Sequence, residues 1–155
     1  MREISAYIEV DRAIRDNGLS LDLFGPDDTR EFVRRLYDSF VEGNPRALWL
    51  GLKYRAERIG RPDSDPYWRL PDVFEAERTL YLFIDLDNVE FVVLRGHFSD
   101  IHRLIGDCEA IDEYYLVLPD FQELWCATDH DELLYVSSPA RRDTKNRDAR
   151  AVRPV

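Results

Sequence analysis

The stretch TLYLFIDLDNVEFVVLR, residues 79–95, decides the fold class. Two runs rich in β-branched, aromatic and leucine side chains flank Asp87-Asn88, a pair suited to a tight hairpin turn. The first run is nearly continuous in apolar residues, as expected of a central strand. In the second, Phe91 and Val93 stand opposite Val92 and Leu94, so both of its faces are largely apolar.

Downstream, Ser99 is placed to cap a short helix whose inner stripe is Ile101, Leu104, Ile105 and Cys108. Two strands follow, EYYLVL (113–118) and ELWCAT (123–128), joined through residues 119–122. A last strand, ELLYVSS (132–138), comes after a turn at 129–131.

Upstream the period becomes helical. Residues 3–16 put Ala6, Tyr7, Val10, Ala13 and Ile14 on one stripe that stops at Asn17-Gly18. Leu19, Leu21 and Leu23 then alternate, as in a short strand or a packed loop. In DDTREFVRRLYDSFVEGN (27–44), Phe32, Val33, Leu36, Tyr37, Phe40 and Val41 form one broad apolar face. Asp28 with Glu31 fits a capping box, and Gly43 is the expected terminator. Residues 44–78 hold Pro62, Pro66 and Pro71, which exclude regular helix, and read as a long loop anchored by Trp49, Tyr67, Trp68 and Phe74. Such a loop can close the core, or serve as a ligand lid or partner surface.

The expected architecture is α+β. Two N-terminal helices precede β-β-α-β-β-β, which forms a mostly antiparallel five-stranded sheet with helices on one face. An apolar sheet face left bare would imply a dimer.

The chain has 155 residues, 45% of them hydrophobic, enough for one domain that buries roughly 68–70% of its surface without metal or disulfide. Its formal net charge of −10 is unevenly spread. Residues 141–155 carry six basic and two acidic side chains, a net +4, and read as a disordered tail. Residues 1–140 form the single domain, and their 15 basic and 29 acidic side chains leave it at −14. That body repels nucleic acid phosphates and draws in basic partners. No apolar run approaches the ~18 residues of a membrane span, and the start MREISAYIEVDR is too charged for a signal peptide. Two cysteines make no disulfide framework, so a reducing cytoplasm is the simplest location.

Catalytic signatures are sparse. His97 and His102 are five apart, the wrong spacing for two metal ligands on one helix face, and Cys108 does not complete a site. Asp129-His130-Asp131-Glu132 is the densest ionisable cluster. It reads either as a general base with carboxylate support or a hard-cation site, or simply as a polar turn. Strict alternation sends His130 opposite to its neighbours, which argues against convergence on one metal. Asp85-x-Asp87-Asn88 resembles a magnesium loop, yet a hairpin explains it fully. No G-x-S-x-G, S-x-x-K or glycine-rich phosphate cradle is present, and Cys108 and Cys126 read as buried and inert. The expectation is therefore no metal and no cofactor.

Within residues 104–135, Gly106-Asp107-Cys108, Glu113-Tyr114-Tyr115-Leu116-Val117, Leu124-Trp125-Cys126 and His130-Asp131 follow one another in order. This stretch resembles the C-terminal signature of a small bacterial family, a domain of unknown function with the pattern EYY…LW…HD. The resemblance spans about residues 48–137. Members of that family tend to carry two consecutive histidines where this chain has Asp129-His130. In size, acidity and layout the chain is also similar to bacterial immunity proteins.

The leading functional expectation is a non-enzymatic acidic binding protein, of the immunity or antitoxin type, for a basic toxin partner. Asp63, Asp65, Tyr67, Trp68, Asp129 and Asp131 are the expected contact residues. Two alternatives are a small enzyme or ligand sensor, with a pocket near residues 60–74 and His130, and a structural module.

Overall fold

A computed structural model of the chain describes residues 5–59, 65–86, 90–109 and 111–139. The expected turn at Asp87-Asn88, the contact residue Asp63 and the basic tail lie outside the described residues.

The hairpin of residues 79–97 is the centre of the molecule. Strand β3 (Thr79–Leu86) pairs antiparallel with β4 (Glu90–His97) along its whole length, from Thr79 opposite His97 to Leu86 opposite Glu90. On its other side β3 pairs with β5 (Tyr114–Val117), followed outward by β6 (Glu123–Ala127) and β7 (Leu133–Ser137), all antiparallel. The class is α+β, as expected.

Among the described residues the sheet has seven strands rather than five. The two extra strands are its edges, β1 (Leu21–Leu23) against β4 and β2 (Glu57–Arg58) against β7, in the order β1-β4-β3-β5-β6-β7-β2. The alternation of Leu19, Leu21 and Leu23 already allowed a short strand at β1, whereas Glu57-Arg58 has no apolar residue and carries no period of its own. At Gly96 a Cβ would meet the Leu21 side chain at 2.3 Å, so glycine lets β1 lie close against β4.

Helices cover both faces of the sheet, not one. Leu80, Leu82 and Ile84 of β3 face α1 (Ala6–Asp16) and α4 (Phe98–Asp107). Phe83 points the other way, into a second core with Phe32, Leu36 and Phe40 of α2 (Pro26–Phe40) and with Leu48. The apolar character of both faces of the hairpin strands requires this arrangement. A single helical layer would leave Phe83, Val93 and Tyr115 in water. Neither face of the sheet is left bare.

Several local expectations are also corrected. Helix α2 starts at Pro26, whose fixed φ suits the first turn, with Gly25 as N-cap. The Asp28–Glu31 capping box does not form, and the Glu31 carboxylate pairs with Arg34 instead. Ser99 does not cap α4. The first donors of that helix, Phe98 N–H and Ser99 N–H, go to the carbonyls of Arg78 and Ala76 at 2.8 and 2.9 Å. In α1, Ala6, Val10 and Ile14 are buried while Tyr7 is exposed. The proline-rich stretch is not all loop: one helical turn, α3 (Pro66–Arg69), starts at Pro66. Among the described residues no helix is long and apolar enough to cross a membrane.

Candidate functional site

A cleft of about 290 Å³ opens at the end of the sheet where β5 begins and β6 finishes. Its rim carries three exposed carboxylates, Asp65, Asp112 and Asp131, and the aromatic side chains of Tyr67 and Trp68. Ile105, Ile111 and Ala127 form an apolar floor together with Tyr114.

Each wall has a local cause. Asp65 N-caps α3, its carboxylate accepting the Tyr67 N–H at 3.0 Å, and Pro66 follows at the first helical position. Tyr67 then lies flat on the His102 ring, with centroids 4.0 Å apart and planes 8° from parallel. His102 Nε2 is 2.8 Å from the Tyr67 carbonyl, and since a carbonyl only accepts, Nε2 carries the proton. A Cβ at Gly106 would come 2.6 Å from Tyr67 Oη, so only glycine lets this ring settle on α4. Trp68 meets Tyr67 edge-on at 4.9 Å and stays 73% exposed, which corrects its expected role as a loop anchor.

The opposite wall is wired by Thr128, whose hydroxyl oxygen accepts the N–H groups of His130 and Glu132 at 3.3 Å each. Asp131 takes a left-handed φ of 59°, a conformation Asp tolerates better than most residues. Arg69 ties the two walls together, donating Nη2 to the Asp131 carbonyl at 2.7 Å and Nη1 to the Ile59 carbonyl.

Tyr114 is the unusual group on the floor. It is 3% exposed, and its hydroxyl has no hydrogen-bond partner among the described residues. Burial, reinforced by the Asp65 charge, pushes its pKa well up, so it stays a neutral hydroxyl at physiological pH.

Asp65, Tyr67, Trp68 and Asp131 therefore share one cleft, although Asp131 lies 63 positions beyond Trp68 in the chain. Asp129 and His130 do not line it. His130 is exposed, edge-on to Trp49 at 6.0 Å, and its Nε2 is 3.7 Å from the Asp129 carboxylate, beyond hydrogen-bonding distance. Sequence reasoning missed Asp112, Tyr114 and Gly106. The pair Tyr114-Tyr115 held a signal: adjacent strand residues face opposite ways, so each face receives one phenol that needs a partner. Among the described residues no three His, Cys, Asp or Glu side chains are placed to hold a metal ion.

A second polar cluster lies on the other face of the same sheet end. Glu113, Tyr115 and Trp49 are neighbours, yet Glu113 Oε1, Tyr115 Oη and Trp49 Nε1 each lack a partner at good hydrogen-bonding geometry. Burial raises the Glu113 pKa above its ordinary 4.5, and the Asp129 and Asp85 charges add to the rise, while Trp49 and Tyr115 partly oppose it. Below about 4.5 both folded and unfolded chains hold the proton; as pH rises the unfolded chain loses it first, so stability falls through the raised folded value. Glu113→Gln is expected to raise Tm at pH 7–8 and leave it unchanged near pH 4. Paired thermal melts at the two pH values check this.

A third, more apolar groove lies between α1 and α2, lined by Tyr7, Phe24, Val33 and Phe91. Its one carboxylate, Glu90, is engaged in capping α1 by accepting the N–H groups of Ala6 and Tyr7 at 3.2 and 3.0 Å.

Comparison with family models, curated proteins and solved structures found no match to this chain.

Proposed function

We propose that this is a non-enzymatic binding protein that recognises a basic protein partner through the acidic cleft, as an immunity or antitoxin-like protein neutralises a basic toxin. One observation carries the reading: an indole that is 73% exposed stands on the rim of a cleft with three carboxylates. Trp is the residue type most enriched among binding hot spots, and a ring of carboxylates steers and orients a basic partner. The −14 charge of residues 1–140 works in the same direction at long range.

The test is co-expression with the product of a neighbouring toxin-like gene. Rescue of growth and a stable complex are expected, and the absence of both overturns the toxin reading. Removing residues 140–155 takes away a net +4, so affinity for a basic partner is expected to stay the same or improve, with Tm unchanged. Calorimetry and thermal melts on the shortened chain measure both. Lost affinity would mean that the contact lies in the tail.

A further inference from the structure

We infer that the cleft is a receptacle for a single arginine side chain, and this rests on the reading of the cleft as a partner-binding site. Size is the first constraint. At about 290 Å³ the cleft is at or just below the small end of ligand pockets, ~300–1,000 Å³, and suits one long side chain rather than a nucleotide or a peptide segment.

Charge is the second. Asp65, Asp112 and Asp131 make no ion pair with any described cation, and Asp65 commits one oxygen to the Tyr67 N–H. Three carboxylates outnumber the single Arg69 guanidinium, which is committed to the Asp131 and Ile59 carbonyls, and this excess of negative charge favours a cationic guest. Their arrangement then selects its shape. They do not converge on a point, as a metal ion requires. A compact ammonium concentrates its donors in the same way, whereas a guanidinium spreads five N–H donors around a plane.

The floor and rim supply the remaining contacts. Tyr114 lines the floor and carries a buried, unpartnered, neutral hydroxyl oxygen, which accepts a guanidinium N–H once the guest displaces the side chains over it. Its lack of a partner is costly in the empty protein and is relieved by a donor from the guest. Trp68 presents a free indole face at the rim, suited to the guanidinium plane or its stem. Tyr67 has one face covered by His102 and serves as a fixed wall.

The full chain is titrated with N-acetyl-arginine amide, and with its lysine and citrulline counterparts, by NMR of the backbone and tryptophan indole N–H groups. Arginine amide is expected to bind with a Kd of about a millimolar and to shift the indole resonance of Trp68 and the amides of residues 112–114. Citrulline amide, nearly isosteric but neutral, is expected to bind at least tenfold more weakly, and lysine amide several-fold more weakly. Tyr114→Phe keeps the ring and removes only the hydroxyl, and should weaken arginine amide several-fold while leaving Tm unchanged or higher. Equal binding of citrulline amide, equal binding of lysine amide, or no loss in Tyr114→Phe overturns the inference. If arginine amide fails to bind while a partner protein still binds in a Trp68-dependent way, the receptacle is wrong and the partner reading stands. If arginine amide binds and partner affinity is indifferent to Trp68 and Asp131, the partner reading falls and the receptacle stands.

Discussion

Trp68→Ala is expected to weaken partner binding by about 2 kcal/mol or more, roughly 30-fold, and to leave the thermal midpoint within about a degree of the parent. The two halves of this expectation have one cause. The indole is 73% exposed and touches its own protein mainly through the edge of Tyr67, so its removal opens no cavity in the core. The same exposure makes it the largest apolar surface the cleft can offer a partner. An interface of ordinary size concentrates its energy in a few such aromatic anchors. Titration calorimetry against the partner, beside a thermal melt of each chain, measures both halves. A drop in Tm with unchanged affinity would make Trp68 a packing residue and remove the principal support for the binding reading.

Phe83→Ala is expected to do the reverse and cost about 3–5 kcal/mol of stability, a large share of the roughly 5–15 kcal/mol available to a domain of this kind. Phe83 lies on the central strand, fully buried, with ring centroids of Phe32, Phe91 and Tyr115 at 6.0, 5.7 and 5.7 Å. Truncation removes the transfer energy of the ring and leaves a cavity between sheet and α2 that stiff neighbours fill poorly. Each kcal/mol is worth about 2–4 °C in a chain of this size, so Tm should fall by roughly 6–20 °C. A fall below about 3 °C would show that α2 collapses onto the sheet, and that this second face is more loosely packed than its burial implies. Chemical denaturation with an unchanged m-value would confirm that the loss is one of stability alone.

The comparison of these two aromatics shows where the sequence was legible. Phe83 sits in a run so apolar that only a buried central strand explains it, and the structure places it there. Trp68 sits among prolines, where local signals identify a turn but not its exposure. The reading of Trp68 as a loop anchor followed the usual tendency of indoles to be buried, and the Asp65-Pro66 cap turns this one outward. The two-sided coverage of the sheet was also present in the sequence, since Phe91–Leu94 alternate apolar on both faces. A single helical layer conflicted with that pattern, and burial of both faces decided against it.

The −14 charge of residues 1–140 shows the same division. Its amount is read by counting, and its pairing is not. Several carboxylates are matched within their own helices, as Glu31 is with Arg34 and Asp11 with Arg15. Asp65, Asp112 and Asp131 stay unmatched because the chain segments that carry them meet only after folding.

The hairpin, the α2 stripe, the succession of the three later strands and the sign of the body charge are all legible along the chain. Each of these depends on a period or a composition that is local along the chain. Tertiary structure alone decided the edge strand β2 and the cleft, and chose strand over packed loop for Leu21–Leu23. Glu57 and Arg58 become a strand only because β7 offers them an open ladder, and Tyr114 becomes a cleft residue only because α3 and α4 close over it. Such features arise from contacts between distant segments, whose geometry is set when both faces of the sheet are buried.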